Sequence, residues 1–337
     1  MNRTVHQENQ RLQRIALALG ILLMAIKFIA WWMTNSNGIL SDALESIINI
    51  VAGGFAIYSL NLSALPKDSN HPYGHGKIEF LSAGFEGGLI FLGGLAICGK
   101  SIYNLFFPQA IMGADIGMLL VALTGGCNYA LGWWLERAGR RNRTMVLQAS
   151  GQHLKTDGWT SLGLLVGLGL FWITQIPWID NLTALIFGAL ILYTGFKLLR
   201  SSVAGIMDEA DYQLINELIK KIDQMRSEDW IDVHNFRVIK YGGTLHIDCH
   251  LTVPWYYDVK AGHQQVKTFE SAMEEVCDNP VELFIHVDPC QPRFSCAICD
   301  KMDCKRRKMT FQQRIEWNLK TAMINQQHRL ELLKPQN

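Results

Sequence analysis

Long apolar stretches separated by short polar connections fill the chain from its start to about residue 206. Six stretches are long enough to cross about 30 Å of hydrocarbon as helices of roughly 20 residues. We therefore predict a bundle of six transmembrane helices. They lie near residues 12–34, 39–64, 79–106, 114–137, 145–173 and 179–201.

Basic residues are distributed unevenly among the connections between these helices. No Lys or Arg occurs in residues 35–38, 107–115 or 174–180. The other connections, the chain before the first helix and the adjoining helix ends carry Arg3, Arg11, Arg14, Lys67, Lys77, Arg137, Arg140, Arg141, Arg143, Lys197 and Arg200. Since basic residues favour the cytoplasmic side, we expect both termini in the cytoplasm.

Beyond residue 206 the pattern becomes that of a soluble α+β domain, in which charged residues alternate with apolar ones. The predicted order is helix 208–226, strand 234–241, strand 244–253, helix 261–277 and strand 281–287. Gly242 and Gly243 suit a tight hairpin turn between the first two strands. This order predicts a small sheet with both helices on one face.

The sequence thus predicts three regions. Residues 1–206 form the membrane domain, 207–290 the cytoplasmic domain and 291–337 a tail that contains cysteines and a helix over 309–333. Hydrophobic residues make up 49% of the 337 residues, and the formal net charge is +1. That charge argues against a nucleic-acid partner, because such proteins normally carry a strong basic excess.

Two predicted membrane helices contain pairs of polar residues. Glu45 and Asn49 form one pair, and His153 and Asp157 form the other. A spacing of four places both side chains of a pair on one helix face. Ionisable groups at bilayer depth are costly and usually line an ion or proton path. Four such groups would suit a divalent cation, although each pair could instead satisfy hydrogen bonds between packed helices.

These features resemble the cation diffusion facilitator family of divalent-metal/proton antiporters over residues 10–290, and most closely its bacterial zinc-exporter branch. The resemblance rests on the string Asp-Ser-Asn-His-Pro-Tyr-Gly-His-Gly-Lys at 68–77, the His153 and Asp157 pair, the six spans and the α+β domain. It implies a ferredoxin-like, metallochaperone-like cytoplasmic domain. It also implies a homodimer in the inner (plasma) membrane that exports metal in exchange for protons.

The resemblance assigns the two membrane pairs to the transport site. Much of the zinc branch has Asp or His where this chain has Glu45, and Asp where it has Asn49. The cargo therefore stays open between Zn²⁺, which we favour, and Fe²⁺, Co²⁺, Mn²⁺ or Cd²⁺. Asp42 and Glu86 also lie in the predicted spans, and either could supply the missing carboxylate.

The loop after the second span carries a second candidate site. Asp68, His71 and His75 offer one oxygen and two nitrogen donors, and in the family this loop holds zinc. The alternative is an ordinary polar loop. By the same resemblance, Lys77 forms an ionic interlock with Asp208 at the dimer seam.

The cytoplasmic domain is rich in histidine. Its candidate ligands are His234, His250, His263, His286 and Asp288. The resemblance assigns them to a binuclear zinc site near the dimer interface. The alternative is a set of surface histidines.

Four of the eight cysteines cluster at the end of this domain with the spacing C-x5-C-x2-C-x4-C. They are Cys290, Cys296, Cys299 and Cys304. Because the cytosol is reducing, a thiolate zinc site is a better hypothesis than a disulfide framework. The irregular spacing leaves metal binding and no metal binding as equal alternatives.

We therefore predict a divalent-metal exporter that has no enzymatic activity and no organic cofactor. One rival is a membrane metalloenzyme, but the His-Glu-x-x-His pattern that many zinc hydrolases use does not occur in the sequence. The other rival is a membrane-anchored metal sensor. A sensor would not need polar pairs inside two spans.

Overall fold

A computed structural model describes residues 3–34, 37–106, 115–174, 178–277 and 279–329. The chain divides into two compact units, Met1–Met207 and Asp208–Asn337. In its described part the first unit consists of long helices. They are α1 (Arg3–Thr34), α2 (Asn37–Ser63), α3 (Ile78–Phe106), α4 (Asp115–Arg141), α5 (Met145–Thr174) and α6 (Trp178–Ile206).

Each of the six predicted helices is therefore present. Within the described residues, three segments are long and apolar enough to cross a membrane by length and composition alone: Val5–Ile29, Ile78–Phe106 and Asn181–Ile206.

Glycines allow close contact between neighbouring helices of this unit. A Cβ atom added at Gly195 of α6 would lie 2.5 Å from the backbone nitrogen of Phe91 on α3. One added at Gly151 of α5 would lie 2.5 Å from the backbone nitrogen of Glu136 on α4. Close backbone approach through small residues is the usual way in which membrane helices pack, because lipid provides no hydrophobic force between them.

The buried polar groups of α5 bond to its neighbours. The Ser150 hydroxyl donates to the Glu86 carboxylate on α3 over 2.7 Å. The hydroxyl of Thr144, the residue just before α5, donates to Glu79 on α3 over 2.8 Å. Gln13 of α1 donates to Ser150 over 3.1 Å. Because buried polar groups are costly without partners, these bonds fix the position of α5 among the helices.

The second unit contains a three-stranded mixed sheet in the order β1-β2-β3. Its elements are α7 (Tyr212–Gln224), β1 (Asp232–Tyr241), β2 (Thr244–Val253), α8 (Val259–Val276), β3 (Val281–Pro289) and α9 (Leu319–Ala322). β1 and β2 pair antiparallel, and β2 and β3 pair parallel. The predicted order of helices and strands up to β3 is confirmed.

Local sequence signals explain where these elements begin and turn. The carboxylates of Asp211 and Asp258 accept backbone N–H groups from the first turns of α7 and α8, which is the bonding expected of N-cap residues. Tyr241 pairs with Thr244, so Gly242 and Gly243 form the predicted two-residue hairpin loop. Gly242 has a φ of 58°, a conformation that glycine adopts without strain.

The core of the second unit lies on one face of the sheet. Ile247 and Leu251 of β2 pack in one buried cluster with Ile219 of α7 and with Phe269 and Met273 of α8. Side chains of a strand alternate between the two faces. The histidines of β2 and β3 therefore lie on the face opposite to the helices.

The prediction of a helix over 309–333 is wrong for the described part of the tail, where α9 spans only Leu319–Ala322. Ile315 and Trp317 are both buried, a spacing of two that suits extended chain rather than helix. The Arg226 guanidinium donates to the Ile315 carbonyl over 2.8 Å and lies 4.3 Å from the Trp317 ring centre. Trp317 belongs to the main core cluster, so the tail is part of the second unit.

Candidate metal-binding sites

The structure brings three of the four predicted transport-site residues together between α2 and α5. His153 donates from Nε2 to the Asn49 side-chain oxygen over 2.7 Å. The Asn49 amide in turn donates to the Asp157 carboxylate over 2.7 Å. Asn49 thus bridges an imidazole and a carboxylate on the facing helix. The fourth residue, Glu45, has its side chain outside the described part of the structure, as does Asp42.

A cavity of about 50 Å³ adjoins this group. Asn49 and His153 line it, together with Glu86 of α3 and Lys27 of α1. Lys27 donates to the Ser46 hydroxyl over 3.0 Å. The cavity is large enough for water, and a cation and a carboxylate lie on its wall. Glu86 is therefore close enough to the group to be tested as an additional ligand.

Asp68, His71 and His75 also lie together, in the loop between α2 and α3. The Asp68 carboxylate lies 3.1 Å from His71 Nδ1 and 3.5 Å from His75 Nε2. The backbone N–H of His71 donates to the same carboxylate and is the main reason why the pKa of Asp68 is lowered. The loop thus presents an ionised oxygen donor beside two imidazoles, a donor set that zinc accepts.

Lys77 follows this loop, and its ammonium group donates to the carbonyl of Ile206 over 3.4 Å. Ile206 is the last residue of α6 and precedes Asp208 by two positions. The interlock between Lys77 and Asp208 stays a prediction.

The histidines of the second unit form a row across the sheet. His234 of β1 pairs with His250 of β2, and His250 pairs with His286 of β3. The neighbouring ring centres are 5.0 Å and 4.7 Å apart. A β-bulge follows His234 at Asn235, which has a φ of 52°. The extra residue turns Phe236 into the core, while His234 stays on the same face as the other two histidines.

Asp288 lies at the centre of this row. Its carboxylate is 2.9 Å from His250 Nδ1, 3.3 Å from His234 Nε2 and 3.5 Å from His286 Nε2. His234 is buried, His250 and Asp288 are partly buried, and His286 is exposed. Three imidazoles around one carboxylate fit the nitrogen and oxygen donors that zinc prefers.

Two further residues, which the sequence analysis missed, support His234 from behind. Asp232 Oδ2 lies 3.3 Å from His234 Nδ1, and His328 of the tail donates from Nδ1 to the other Asp232 oxygen over 2.6 Å. Although burial alone would raise it, the bonds from His234 and His328 hold the pKa of Asp232 below its usual range. A carboxylate behind a histidine orients the ring toward a metal. The Asp-x-His spacing at 232–234 was a signal that could have identified Asp232.

The structure does not bring His263 to this group. His263 is an exposed residue of α8, which packs its apolar side against the opposite face of the sheet. Its inclusion among the ligands is therefore not supported within one chain. The reason is strand alternation, which separates the helix-covered face from the histidine face.

The four clustered cysteines line one cavity in the described part of the second unit. Cys296 and Cys299 are buried, while Cys290 and Cys304 are partly buried. No three of the four sulfur atoms lie within 4.8 Å of one another, unlike the donors of the loop group and of the group formed by His234, His250 and Asp288.

Comparison with known proteins identifies both units. Residues 14–207 match the cation efflux transmembrane domain, and residues 207–290 match the cytoplasmic domain of cation efflux proteins.

Three relatives illustrate the similarity. An uncharacterized transporter of Synechocystis is 33% identical over 261 residues, which cover 77% of this chain and 84% of that protein. The cation-efflux pump FieF of Salmonella typhi is 29% identical over 295 residues, covering 86% and 96% of the two chains. Metal tolerance protein C1 of Arabidopsis thaliana is 27% identical over 313 residues, covering 87% and 65%.

The histidine row yields a test of metal binding. In a fragment of residues 208–337, which has its own core, a metal that binds only the folded state adds RT ln(1 + [L]/Kd), about 2.7 kcal/mol at a hundredfold excess over Kd. We expect zinc to raise the thermal midpoint of the fragment, and Asp288→Asn to remove the part of that rise that comes from the histidine row. The rise should fade below about pH 6, since protons compete for the imidazole nitrogens.

Asp248→Asn is the matched control, because Asp248 lies on the same face of β2 two residues before His250. It should leave the zinc-dependent rise intact. An unchanged rise in Asp288→Asn would exclude Asp288 as a ligand.

Proposed function

Since this chain belongs to the cation efflux family of membrane metal transporters, also called cation diffusion facilitators, we propose that it exports Zn²⁺ from the cytoplasm in exchange for protons. The cargo site is formed by Glu45 and Asn49 of α2 and by His153 and Asp157 of α5. The second unit belongs to the cytoplasmic dimerisation domain of the same family, and the working assembly is a homodimer.

The observation that carries the proposal is the bridge that Asn49 makes between His153 and Asp157. Across a helix interface, the Asn49 amide lies within hydrogen-bond distance of the His153 ring through its oxygen and of the Asp157 carboxylate through its nitrogen. A cation that enters there exchanges its hydration shell for these donors. The amide can turn its oxygen toward the ion, because rotation about its last side-chain torsion costs little.

Protons drive the exchange because they compete with the metal for the same atoms. Histidine and carboxylate must be deprotonated to bind a metal, so metal binding releases protons. His153 is suited to this role, since histidine changes its charge near physiological pH. An inward proton gradient then favours release of the metal on the outside and protonation of the empty ligands.

Alternating access needs the six helices to span the membrane, and the uneven distribution of basic loops supports cytoplasmic termini. By its family resemblance we assign the protein to the inner, or plasma, membrane. The cavity lined by Asn49, His153, Glu86 and Lys27 supports a water-accessible path beside the site. Glu86 is the alternative carboxylate ligand if Glu45 does not bind the ion.

Zinc is the preferred cargo because four nitrogen and oxygen donors suit a tetrahedral Zn²⁺ ion. The neutral amide of Asn49 makes the site less negative than a site with a carboxylate at the same position. That difference favours weaker binding and faster release. The degree to which Fe²⁺, Co²⁺, Mn²⁺ and Cd²⁺ each inhibit zinc flux would rank these ions as alternative cargoes.

The cytoplasmic unit acts as the dimerisation and sensing domain of the transporter. Its order of helices and strands and its mixed sheet support a ferredoxin-like assignment. The histidine row fits a zinc ion held by His234, His250, His286 and Asp288, with the loop group Asp68, His71 and His75 as a separate site. A pairing of Lys77 with Asp208 would connect the bundle to this domain.

Neither rival function has comparable support. Members of the family are transporters rather than enzymes. A sensor alone would not need hydrogen-bonded ligand groups between α2 and α5. The family membership and the Asn49 bridge together favour transport.

The first test is zinc flux into proteoliposomes. An acidic lumen should accelerate zinc uptake by the wild-type protein, because protons leave the lumen as zinc enters it. Asp157→Asn should lower this flux by at least about a hundredfold, since changes to residues behind a metal ligand alone cost roughly 10–100-fold. The variant should stay folded, because it removes a costly buried charge.

Thr194→Val serves as the control in this assay. Thr194 is partly buried on α6, and its hydroxyl bonds to the Leu190 carbonyl of its own helix, so the change should leave flux intact. Wild-type flux in Asp157→Asn would refute the site. Flux that is indifferent to the pH gradient would refute proton exchange.

The second test concerns Asn49. Asn49→Asp should tighten zinc binding by at least about tenfold, because a unit charge near a cation is worth several kcal/mol even at an effective dielectric constant of about 20. Turnover should fall, because release becomes slower. Isothermal titration and flux assays measure the two effects.

Asn128→Asp is the matched control, since Asn128 of α4 lines the same cavity. If it tightens zinc binding equally, the gain reflects general charge in the cavity rather than ligation by residue 49. Unchanged affinity in Asn49→Asp would exclude Asn49 as a ligand and favour Asp42 or Glu86.

A further inference from the structure

A second cavity lies away from the histidine row, in the segment that follows β3. Its volume is about 20 Å³, enough for one particle of the size of a water molecule. Cys290, Cys296, Cys299 and Cys304 all line it. Among the described residues on its wall, sulfur is the only side-chain donor typical of a soft metal site, since none of these residues is His, Asp or Glu.

Hydrogen-bond donors point at three of the four sulfur atoms. The backbone N–H of Trp255 donates to Cys290 Sγ over 3.4 Å, and that of Lys308 donates to Cys296 Sγ over 3.4 Å. The Tyr256 hydroxyl donates to Cys304 Sγ over 3.6 Å. Donors aimed at a thiolate stabilise its negative charge and orient it as a ligand.

The charge around the cavity complements a cluster of thiolates. Lys301, Arg306 and Arg307 line it. The Arg307 guanidinium also donates to the backbone carbonyls of Cys296, Cys299 and Lys301, over 2.8, 2.9 and 2.8 Å. Four thiolates and one divalent cation carry a net charge of −2, which nearby cations offset.

The segment that carries these cysteines has little regular secondary structure and a small apolar core. Between Pro289 and Leu319 its only regular element is the short 3₁₀ turn Ser295–Ala297. Its apolar cluster is small and consists of Ile231, Ile298, Cys299 and Ile315, with Cys290 packed against it. Segments with so little core usually need a metal or a disulfide, and the reducing cytosol disfavours the disulfide.

We propose that Cys290, Cys296, Cys299 and Cys304 bind one Zn²⁺ ion as a structural thiolate site, distinct from the cargo site and from the histidine row. A tetrahedral ion with Zn–S bonds of about 2.3 Å places the sulfur atoms about 3.8 Å apart. Because no three sulfur atoms now lie within 4.8 Å of one another, binding draws the loops inward.

This site would also fix the beginning of the tail segment that places His328 beside Asp232. The backbone N–H groups of Gln312 and Gln313 donate to the Ala297 carbonyl, beside Cys296. Farther along, the Asn235 N–H donates to the Ile324 carbonyl over 2.7 Å. The zinc ion of the thiolate site thus anchors the tail. The tail carries His328, which bonds to Asp232 behind His234.

The test uses the purified full-length protein in detergent, with Co²⁺ and Zn²⁺ as probes. Co²⁺ should produce the sulfur-to-cobalt charge-transfer absorption of a thiolate site, and added Zn²⁺ should abolish it. By mass spectrometry, Zn²⁺ should slow alkylation of the four cluster cysteines by at least about tenfold, because a metal-bound thiolate is not free to react. Neither readout depends on transport.

Variants identify the ligands. Cys296→Ser and Cys299→Ser should lose the charge-transfer band, whereas Cys277→Ser, a change in the same unit outside the cluster, should keep it. His250→Ala should also keep the band, which separates this site from the histidine row. If the serine variants unfold, Tyr256→Phe replaces them, since it removes only a donor to Cys304 and should weaken cobalt binding.

Three results would overturn the proposal. Equal alkylation rates with and without Zn²⁺ in the wild-type protein would exclude a thiolate site, as would a cobalt spectrum without charge transfer. Visible iron–sulfur absorption before cobalt is added would show that the cluster takes a different cofactor.

Discussion

Polar ligand groups can be buried between apolar helices only if they bond to one another, and the rest of this structure depends on that constraint. Asn49 meets it by accepting from His153 and donating to Asp157 across the interface of α2 and α5. The same bonds hold the donors within reach of a single ion. The proposed cargo site therefore uses the same three side chains that satisfy one another's hydrogen bonds.

In the cytoplasmic unit, a sheet separates the polar ligand groups from the apolar core. Strand alternation places the apolar residues toward α7 and α8 and leaves His234, His250 and His286 in a row on the other face. Asp288 is close to all three, and Asp232 orients the first of them. A bond from the tail completes this arrangement, because His328 donates to Asp232 behind the candidate metal site.

Periodicity and spacing predicted much of this from the sequence. Positions four apart on a helix share a face, which is why His153 and Asp157 could be paired in advance, and alternating residues identified the three strands. The strand register and the bulge at Asn235 depend on pairing between distant segments, so the histidine row was not predictable. His263 lies on α8, which packs against the opposite face of the sheet, so the structure does not bring it to this row within one chain. The prediction of a tail helix was wrong because contacts of Ile315 and Trp317 with Arg226 override the local helical preference.

The central claim is that the cargo ion binds between α2 and α5. Anomalous diffraction at the zinc absorption edge, from crystals of the zinc-loaded protein, tests it most directly. The account predicts a peak about 2.0–2.2 Å from a ring nitrogen of His153 and from a carboxylate oxygen of Asp157, at the usual zinc distances. Peaks confined to the loop, the histidine row and the cysteine cluster, with none between α2 and α5, would contradict it.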